Sequence, residues 1–134
     1  KTLRTIARHA DAWNGFGTPD ELAELDGVLR AHCADAGRDP STIERTSNLW
    51  LVIRDSEQEA RRVWAATAEH NQVPVADVTE PSRPLLGPPA AIAERLREYV
   101  AAGFSTAIVE VPAPYDVETL ERLIGEVKPL VDAG

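Results

Sequence analysis

The sequence has 134 residues, 43% hydrophobic and 27% charged, a balance typical of an ordinary globular domain with one core. Its formal net charge of −8, with Lys and Arg scattered along the chain, argues against nucleic acid as a partner, and no apolar stretch approaches the roughly 20 residues that span a bilayer. The single cysteine, Cys33, excludes an intrachain disulfide and fits a reducing cytoplasm.

The first predicted elements are a helix and a short strand. Apolar residues at helical spacing over residues 2–10 predict a helix with Thr2 at its N-cap. The apolar pair Ala12-Trp13, closed by glycines, predicts a brief buried strand over residues 12–14. The chain begins at Lys1 and contains no methionine, so we expect either a longer gene product or a cleaved leader upstream of Lys1.

The second predicted helix is marked at both ends. The tetrapeptide Thr18-Pro19-Asp20-Glu21 combines an N-cap, a proline at the first helical position and a capping-box glutamate, and Gly37 supplies a left-handed stop. Three- and four-residue spacing of apolar residues predicts one buried face. That face consists of Leu22, Leu25, Val28, Leu29, His32 and Cys33.

The next βα unit has the clearest strand signal. Residues 46–53 end in five consecutive apolar residues without alternation, which predicts a strand covered on both faces and hence a parallel sheet. Ser56 and Glu59 form a capping-box pattern for a helix that should end near Asn71. The predicted inner face of this helix comprises Ala60, Val63, Trp64 and Thr67.

Residues 72–89 contain five prolines, which exclude a long regular element and predict an irregular loop. A lid over a substrate site and a solvent-exposed insertion explain its length equally well. Pro88 and Pro89 then open a helix that Gly103 ends. Its predicted buried stripe is Ile92, Leu96, Tyr99 and Val100.

The last predicted elements are a strand over residues 106–111 and a helix capped by Asp116. Pro129 is expected to kink or end this helix, because proline removes a backbone donor and clashes with the preceding turn. The predicted inner face is Leu120, Leu123, Ile124, Val127, Leu130 and Val131.

Helices that alternate with short, doubly buried strands indicate right-handed βα units in an α/β fold. We therefore predict about three parallel strands with five helices in a single domain over residues 1–134. Three strands leave open sheet edges, and a closed eight-stranded barrel needs roughly 200 to 250 residues. The chain would therefore supply only the C-terminal portion of a (β/α)8 barrel of the TIM type.

Four segments resemble luciferase-like monooxygenases, in the order in which that family has them. They are KTLR at residues 1–4, ARHADAWN at 7–14, CADAGRDP at 33–40, and Gly87 followed by IAERLREYVAAGF at 92–104. By this resemblance residues 12–14, 46–53 and 106–111 would be barrel strands six, seven and eight, with residues 55–87 as an insertion before the seventh helix. Strands one to five have no counterpart in this chain, which is its main departure from the family.

The resemblance implies an oxidoreductase or monooxygenase that transfers a hydride or oxygen to a small organic substrate. Its reduced coenzyme would be either coenzyme F-420 (8-hydroxy-5-deazaflavin) or FMN, and the sequence does not separate the two. The resemblance also implies a site for the coenzyme phosphate at Lys1 and Thr2, where the start of a helix offers unpaired N–H groups. The glycine-rich turn that precedes this segment in the family is not in the chain, and a plain helix cap at Thr2 with a solvated Lys1 is the simpler interpretation.

Barrel enzymes hold their substrates at the C-terminal ends of the strands, which nominates Trp13, Asn14, Arg54 and Glu110 as substrate-pocket residues. Barrel packing is the alternative for Trp13, and a solvated charge or structural ion pair is the alternative for Arg54 and Glu110. The three histidines and Cys33 have no further ligands at metal spacing, so we predict no metal site. No catalytic acid or base is assigned, and the chain alone is expected to be inactive.

Two other functions remain open. The chain could be a stand-alone, non-catalytic α/β module that binds a partner through its proline-rich loop or an open sheet edge. It could also be one chain of a two-chain enzyme whose first barrel half is encoded separately. As an enzyme part in the cytoplasm, it should bind a small-molecule substrate, and either a second copy or the missing barrel half, but neither nucleic acid nor membrane.

Overall fold

A computed structural model describes residues 2–72 and 84–133 of the chain, which form an α/β fold. The elements in chain order are α1 (Thr2–His9), β1 (Ala12–Gly15), α2 (Pro19–Ala36), β2 (Glu44–Ile53), α3 (Glu57–His70), β3 (Leu85–Gly87), α4 (Pro89–Ala101), β4 (Thr106–Glu110), α5 (Val117–Arg122) and α6 (Lys128–Asp132). A 3-10 turn at Pro40–Thr42 precedes β2, and a π-helical turn at Leu123–Val127 joins α5 to α6. Within the two described ranges, no helix has the length and apolar character needed to cross a membrane.

Strand β2 pairs with three other strands. β1 lies parallel to the first half of β2, with Ala12 opposite Glu44, and β3 lies parallel to its end, with Leu51 opposite Leu85. β4 also pairs with β2. The predicted α/β fold with a parallel sheet and five helices is therefore confirmed when the continuous segment from α5 to α6 is taken as one helix.

The prediction of an irregular loop over residues 72–89 is wrong for residues 85–87. Residues 85–87 form β3, because their backbone pairs with residues 51–53 of β2 and the Arg54 amide donates to the Gly87 carbonyl at 3.1 Å. A three-residue strand between prolines has no periodicity that the sequence could reveal. The part of the predicted loop over residues 73–83 lies outside the described residues.

The chain divides into two compact units. The first comprises Lys1–Asn48 with Tyr99–Ile108, and the second comprises Leu49–Glu98 with Val109–Gly134. Each unit has buried apolar residues of its own. The first unit buries Ala7, Trp13, Leu22, Leu29, Cys33, Ile43 and Phe104, and the second buries residues that include Leu51, Ile53, Ala60, Trp64, Ile92, Leu96 and Val127.

The caps that define α2 are confirmed. Thr18 accepts a hydrogen bond from the Glu21 amide, and the Glu21 carboxylate accepts one from the Thr18 amide at 2.8 Å, which completes the capping box. Gly37 ends the helix at a φ of +67°, the left-handed conformation that glycine adopts without strain. Both ends of α2 are therefore set by local chemistry.

The predicted buried face of α2 is partly wrong. Leu25 and Val28 are exposed, and Asp26 is buried between Leu22 and Leu29. Asp26 accepts hydrogen bonds from Arg45 at 2.8 Å and from Arg30 at 2.6 Å, so its charge is compensated. The helix is therefore rotated to bring this ion pair, and not the Leu25 side, against β2.

Burial differs between the two faces of the strands. All odd-numbered residues of β2 are buried, whereas on the other face Thr46 and Val52 are buried, Asn48 and Trp50 are half-buried, and Glu44 is exposed. In β4 no residue is buried, and Ile108 is 43% exposed. The prediction of strands covered on both faces is therefore wrong for β4 and also for β1, where Ala12 and Asn14 are exposed.

The C-terminal helix agrees with its prediction at its start and differs in its buried face. Asp116 caps α5, as predicted, and of the two outcomes predicted at Pro129 the end of the helix is wrong, because the helical segment continues to Asp132. The wider π-helical turn before Pro129 accommodates a residue that cannot donate to the preceding turn. Of the predicted inner face only Val127 is buried, while Leu120, Ile124 and Leu130 are exposed.

Smaller differences concern three other helices. α1 begins at Thr2, so Thr2 is its first residue and not the residue before it. Val63 of α3 is half-buried, and Val100 of α4 is exposed. The N-cap of α3 at Ser56 and its end at Asn71 are as predicted.

Asp26→Ala is expected to lower the free energy of unfolding of the chain by about 3–5 kcal/mol, because Arg45 would stay buried without its counter-charge. Arg30→Ala is the control, since the Arg30 side chain is exposed and its loss should cost no more than about 1 kcal/mol. Urea unfolding followed by tryptophan fluorescence measures both. Equal effects of the two substitutions would contradict this account of α2.

Candidate functional site

In the first unit, Asn14 of β1 lies beside two polar residues of β2. Thr46 Oγ1 donates to Asn14 Oδ1 at 3.0 Å, and Asn14 Nδ2 donates to Asn48 Oδ1 at 3.4 Å. The strand register places Asn14 opposite Thr46, so these side chains share one face of the sheet. Asn14 itself is exposed. The structure thus gives this nominated pocket residue a defined orientation on an open face.

Trp13 points to the opposite face of β1. Its ring is buried and packs edge-to-face on Phe104, with ring centroids 5.2 Å apart. A Cβ at Gly15, on the same face, would lie 2.6 Å from Leu22 Cδ2 and 2.9 Å from Phe104 Cε1, so a larger residue there would force these side chains to move. Trp13 has the contacts of a packing residue, and its role in a substrate pocket stays a prediction.

In the second unit, Arg54 is buried immediately after β2. Its Nη2 lies 2.9 Å from Asp116 Oδ1 and its Nε lies 3.3 Å from Glu118 Oε2. Its Nη1 donates to the Ile53 carbonyl at 2.6 Å and to Thr119 Oγ1 at 3.2 Å. All three guanidinium nitrogens are therefore engaged within the protein, which is the arrangement of a structural ion pair.

Asp116 connects this ion pair to the start of α5. Burial raises the pKa of the Asp116 carboxyl, but hydrogen bonds from Arg54 and Thr119, together with the Arg54 charge, outweigh burial and leave the pKa below its usual value. Thr119 in turn donates to Asp116 Oδ2 at 2.7 Å and accepts from the Ile53 amide at 3.0 Å. The carboxylate is thus held ionised between β2 and α5.

Glu110, at the end of β4, is exposed and accepts a hydrogen bond from the Trp50 indole Nε1 at 2.6 Å. Trp50 packs on Trp64 with ring centroids 5.3 Å apart and an angle of 37° between the rings. Trp64 belongs to a core cluster with Val52 and Ala60. The Glu110 carboxylate is therefore attached through Trp50 to a rigid part of the second unit.

A cavity of about 20 Å³ lies beside Glu110 and Asp116. This volume holds about one water molecule, whereas pockets for small molecules have about 300–1,000 Å³. As described, the cavity is therefore much smaller than a typical small-molecule pocket. The other lining residues are Leu51, Val52, Trp64, Thr67, Val111 and Pro112.

The predicted phosphate site lies at the start of α1. Lys1 is outside the described residues, and Thr2 is exposed at the first position of the helix. The first turn of α1 carries no acidic residue, so its N–H groups and positive dipole end are compatible with an anion. The roles of Lys1 and Thr2 stay predictions.

In the described parts of the chain no three His, Cys, Asp or Glu side chains come close enough together to bind a metal ion. His32 Nδ1 lies 3.9 Å from Asp35 Oδ2, and Cys33 is fully buried in the first unit. The structure therefore offers no cluster on which to base a metal site.

The hydrogen-bond and ion-pair partners of the nominated residues were not predicted from the sequence. Thr46 fell within a predicted strand, but its position opposite Asn14 needs the strand register, which the sequence does not specify. Asp116 was predicted only as a helix cap, and its pairing with Arg54 spans 62 positions. Neither contact has a local sequence signal.

Comparison with known proteins gives matches among solved structures alone, since no family model and no curated protein matches the chain. Riboflavin lyase RcaE, solved with modified FMN and riboflavin, matches at a TM-score of 0.74 and 16% identity over 98% of this chain and 40% of the enzyme. DmoA from Hyphomicrobium sulfonivorans matches at a TM-score of 0.75 and 14% identity, over 99% of this chain and 39% of DmoA. Coenzyme F-420 dependent tetrahydromethanopterin reductase from Methanopyrus kandleri matches at a TM-score of 0.69 and 16% identity, over 95% and 47% of the two chains.

The chain thus spans less than half the length of the structures that it matches. Those structures have the TIM-barrel fold of luciferase-like enzymes, the group that the sequence resemblance indicated. At this level of identity the similarity establishes the fold. The chain therefore has the fold of part of a luciferase-like (β/α)8 barrel.

Proposed function

We propose that this chain is the C-terminal part of an oxidoreductase whose reduced flavin or deazaflavin coenzyme supports hydride or oxygen transfer to a small organic substrate. The observation that carries the proposal is the fold match over nearly the whole chain to an enzyme solved with modified FMN and to an enzyme that depends on coenzyme F-420. The segments that resemble the luciferase-like family span most of the same length and support it independently.

The uncovered strand faces are consistent with a barrel part. In a closed barrel, one face of every strand points into the barrel and the other packs on helices. The Trp13 face of β1 is packed, whereas the Asn14 face is exposed, and β4 has no buried residue at all. We propose that the missing barrel half covers these faces, with association of two copies of the chain as the competing outcome.

The residues at the start of α1 fit a coenzyme that carries a phosphate. Lys1 and Thr2 would hold that phosphate at a helix start without acidic residues. When bound, the coenzyme supplies the hydride or activates the oxygen, and the protein orients the substrate and excludes water. The proposed location is the cytoplasm, in keeping with the free thiol of Cys33.

The first test is the coding region directly upstream of Lys1. We expect it to encode further βα units that end in a glycine-rich turn. The complete protein should then bind FMN or coenzyme F-420, measured by the fluorescence of the coenzyme, while the chain alone binds at least 100-fold more weakly. A start codon within a few residues of Lys1, or a complete protein that binds neither coenzyme, would favour the partner-binding module instead.

The phosphate site has a test of its own in the complete protein. Thr2→Val together with Lys1→Ala should reduce the preference for FMN over riboflavin at least tenfold, because riboflavin lacks the phosphate that these residues are proposed to bind. If the coenzyme is F-420, its phosphate-free deazaflavin core replaces riboflavin in the comparison. Thr5→Val, on the same exposed helix, should leave the preference unchanged. An unchanged preference in the double variant would rule out the phosphate site and would leave the proposed function standing.

We expect the Arg54–Asp116 ion pair to stabilise the fold of the chain. Because the pKa of Asp116 is lower in the folded chain than its unfolded value near 3.9, its stabilisation is present above about pH 4 and is lost as the pH falls through the folded pKa. Asp116→Asn should therefore cost about 1–3 kcal/mol at pH 7 and progressively less below pH 4. Urea unfolding of the chain at pH 7, 4 and 3 measures this difference.

Asp55→Asn is the matched control, because the exposed Asp55 carboxylate pairs with Arg122 at the surface. It should change the free energy of unfolding by no more than about 0.5 kcal/mol at each pH. A cost of Asp116→Asn that stays constant from pH 7 to 3 would show that the buried ion pair does not stabilise the fold as described.

A further inference from the structure

The helical segment from α5 to α6 carries an uncovered apolar surface. Five of the ten large apolar side chains that are exposed in the described parts of the chain belong to residues 115–130. Three of them, Val117, Leu120 and Ile124, are 57%, 39% and 66% exposed and follow one another at spacings of three and four residues. This spacing places them on one side of the helix, and we call these three residues the apolar strip.

The buried side of the same segment lies next to the apolar strip. Thr119 is 1% exposed, and Leu120 is turned from it by about 100° around the helix axis. On the opposite flank Arg122 lies 2.8 Å from Asp55, so that flank is ionic. The apolar surface of the helix is therefore wider than the part that the second unit covers, and the excess lies on one flank.

Gly125 adds a second feature beside the apolar strip. It follows Ile124 directly, is exposed within the helical segment, and a Cβ built on it would have no other element within 4 Å among the described residues. Glycine is less favourable than alanine inside a helix by a factor of about two to five in equilibrium constant. A close approach of another backbone would account for a glycine at this position.

The charges beside the apolar strip indicate the character of its partner. Glu118 pairs with Arg54 at 3.3 Å. Glu121, one turn after Val117, is exposed and has no cationic partner within the part of the chain that the structure describes. An acidic group at the rim of an apolar surface favours a partner that has a basic group. The surface therefore fits an amphipathic helix whose apolar stripe lies beside a Lys or Arg.

A barrel supplies a helix at this position. By the proposed function, the segment from α5 to α6 is the eighth helix of a ring, and a closed ring places the eighth helix between the seventh and the first. The helix before β4 is α4, which is then the seventh, and its Arg97 donates to the Leu130 carbonyl at 2.7 Å. The chain covers only 40% and 47% of two enzymes that it matches, so the first helix belongs to the missing barrel half.

We propose that the apolar strip and Gly125 form the docking surface for the first helix of the missing barrel half. The proposal rests on the proposed function and specifies the partner helix by its chemistry. The first helix encoded upstream of Lys1 should carry apolar residues at spacings of three and four, beside a Lys or Arg. A first helix that is polar on every side would contradict the proposal.

Gly125→Ala tests the close approach, because its effect should have opposite signs in the chain alone and in the complete protein. Alanine should raise the equilibrium constant for folding of the chain alone by about two- to fivefold, through its higher helix propensity. In the complete protein the added methyl group would meet the docked helix, and the constant should fall by about tenfold or more. Urea unfolding followed by tryptophan fluorescence measures both constants.

Gly27→Ala is the matched control, since Gly27 also lies within a helix and also has open space around it. It should raise the folding constant equally in the chain alone and in the complete protein. A stabilising Gly125→Ala in the complete protein would show that no backbone lies close to Gly125.

Ile124→Asp tests the apolar strip itself. In the chain alone the position is exposed, so the folding constant should change by no more than about threefold. In the complete protein the charge would be buried against the docked helix, and the constant should fall by about 100-fold or more. Val28→Asp makes the same kind of change at a position of α2 that is 46% exposed, and its effect should be small and equal in both proteins. Equal effects of Ile124→Asp in the two proteins would overturn the docking surface.

A second copy of the chain is the competing occupant and predicts a different result. If a second copy covers the apolar strip, sedimentation equilibrium will show a dimer of the complete protein that Ile124→Asp converts to a monomer, and the proposal is wrong. Docking of the first helix predicts that Ile124→Asp leaves the oligomeric state of the complete protein unchanged.

Coenzyme binding separates this inference from the proposed function. If the complete protein binds FMN or coenzyme F-420 but Gly125→Ala and Ile124→Asp act equally in both proteins, the docking surface is wrong and the proposed function stands. If neither coenzyme binds but the two substitutions act differently in the two proteins as described, the docking surface stands and the proposed function fails. A start codon within a few residues of Lys1 would overturn both.

Discussion

In a parallel barrel, one face of every strand packs on helices and the other face packs in the barrel interior. In this chain mainly the helix-facing side of the strands is packed. The odd-numbered residues of β2 are all buried, and in the first unit Arg45 connects that face to Asp26 of α2. On the other face Glu44 is exposed and Asn48 and Trp50 are half-buried, and only Thr46 and Val52 are buried. The same division appears in β1, where Trp13 is packed and Asn14 is exposed. The exposed side chains on the other face of the strands follow from this packing on one face.

The two faces also differ in chemistry. The packed face of the first unit combines Trp13, Phe104 and the buried Asp26–Arg45 pair, so it has both apolar contacts and a fixed ionic contact. The open face of that unit carries hydrogen-bonded polar side chains, Asn14 with Thr46 and Thr106 with Glu44. Polar groups of this kind are costly inside a tightly packed barrel unless they are satisfied by neighbours, water or a ligand.

Local chemistry made much of the fold predictable. The caps at Thr18, Gly37, Ser56 and Asp116 are decided within a few residues, and the structure has each of them where the sequence indicates. Burial was harder to predict, because it depends on what lies against a helix. Leu25 looked buried by its spacing, yet Asp26 takes the inner position through a partner that lies 19 residues away in sequence. The exposed Ile124 shows the same effect, since an apolar residue is buried only where another element covers it.

The strand-end positions of the nominated residues were predictable, but their contacts were not. The rule that barrel sites lie at the C-terminal ends of strands nominated Asn14 and Arg54 correctly as strand-end residues. It could not show that Arg54 is enclosed by Asp116 and Thr119, or that Thr46 orients Asn14, because those contacts depend on strand register and tertiary packing. The sequence therefore nominates residues by their place in a strand, and the structure shows that Arg54 is enclosed in an ion pair whereas Asn14 is exposed.

If one face of the strands is left open for the rest of a barrel, amide hydrogen exchange in β4 should depend on the missing strands. Exchange would be measured for β1, β2 and β4 in this chain alone and in the complete protein. We expect the amides of β4, including Ile108, to exchange at least 10²-fold more slowly in the complete protein, while those of β2 change much less. Equal protection of β4 in the two proteins would show that no further strands cover it, and the open face would then be ruled out.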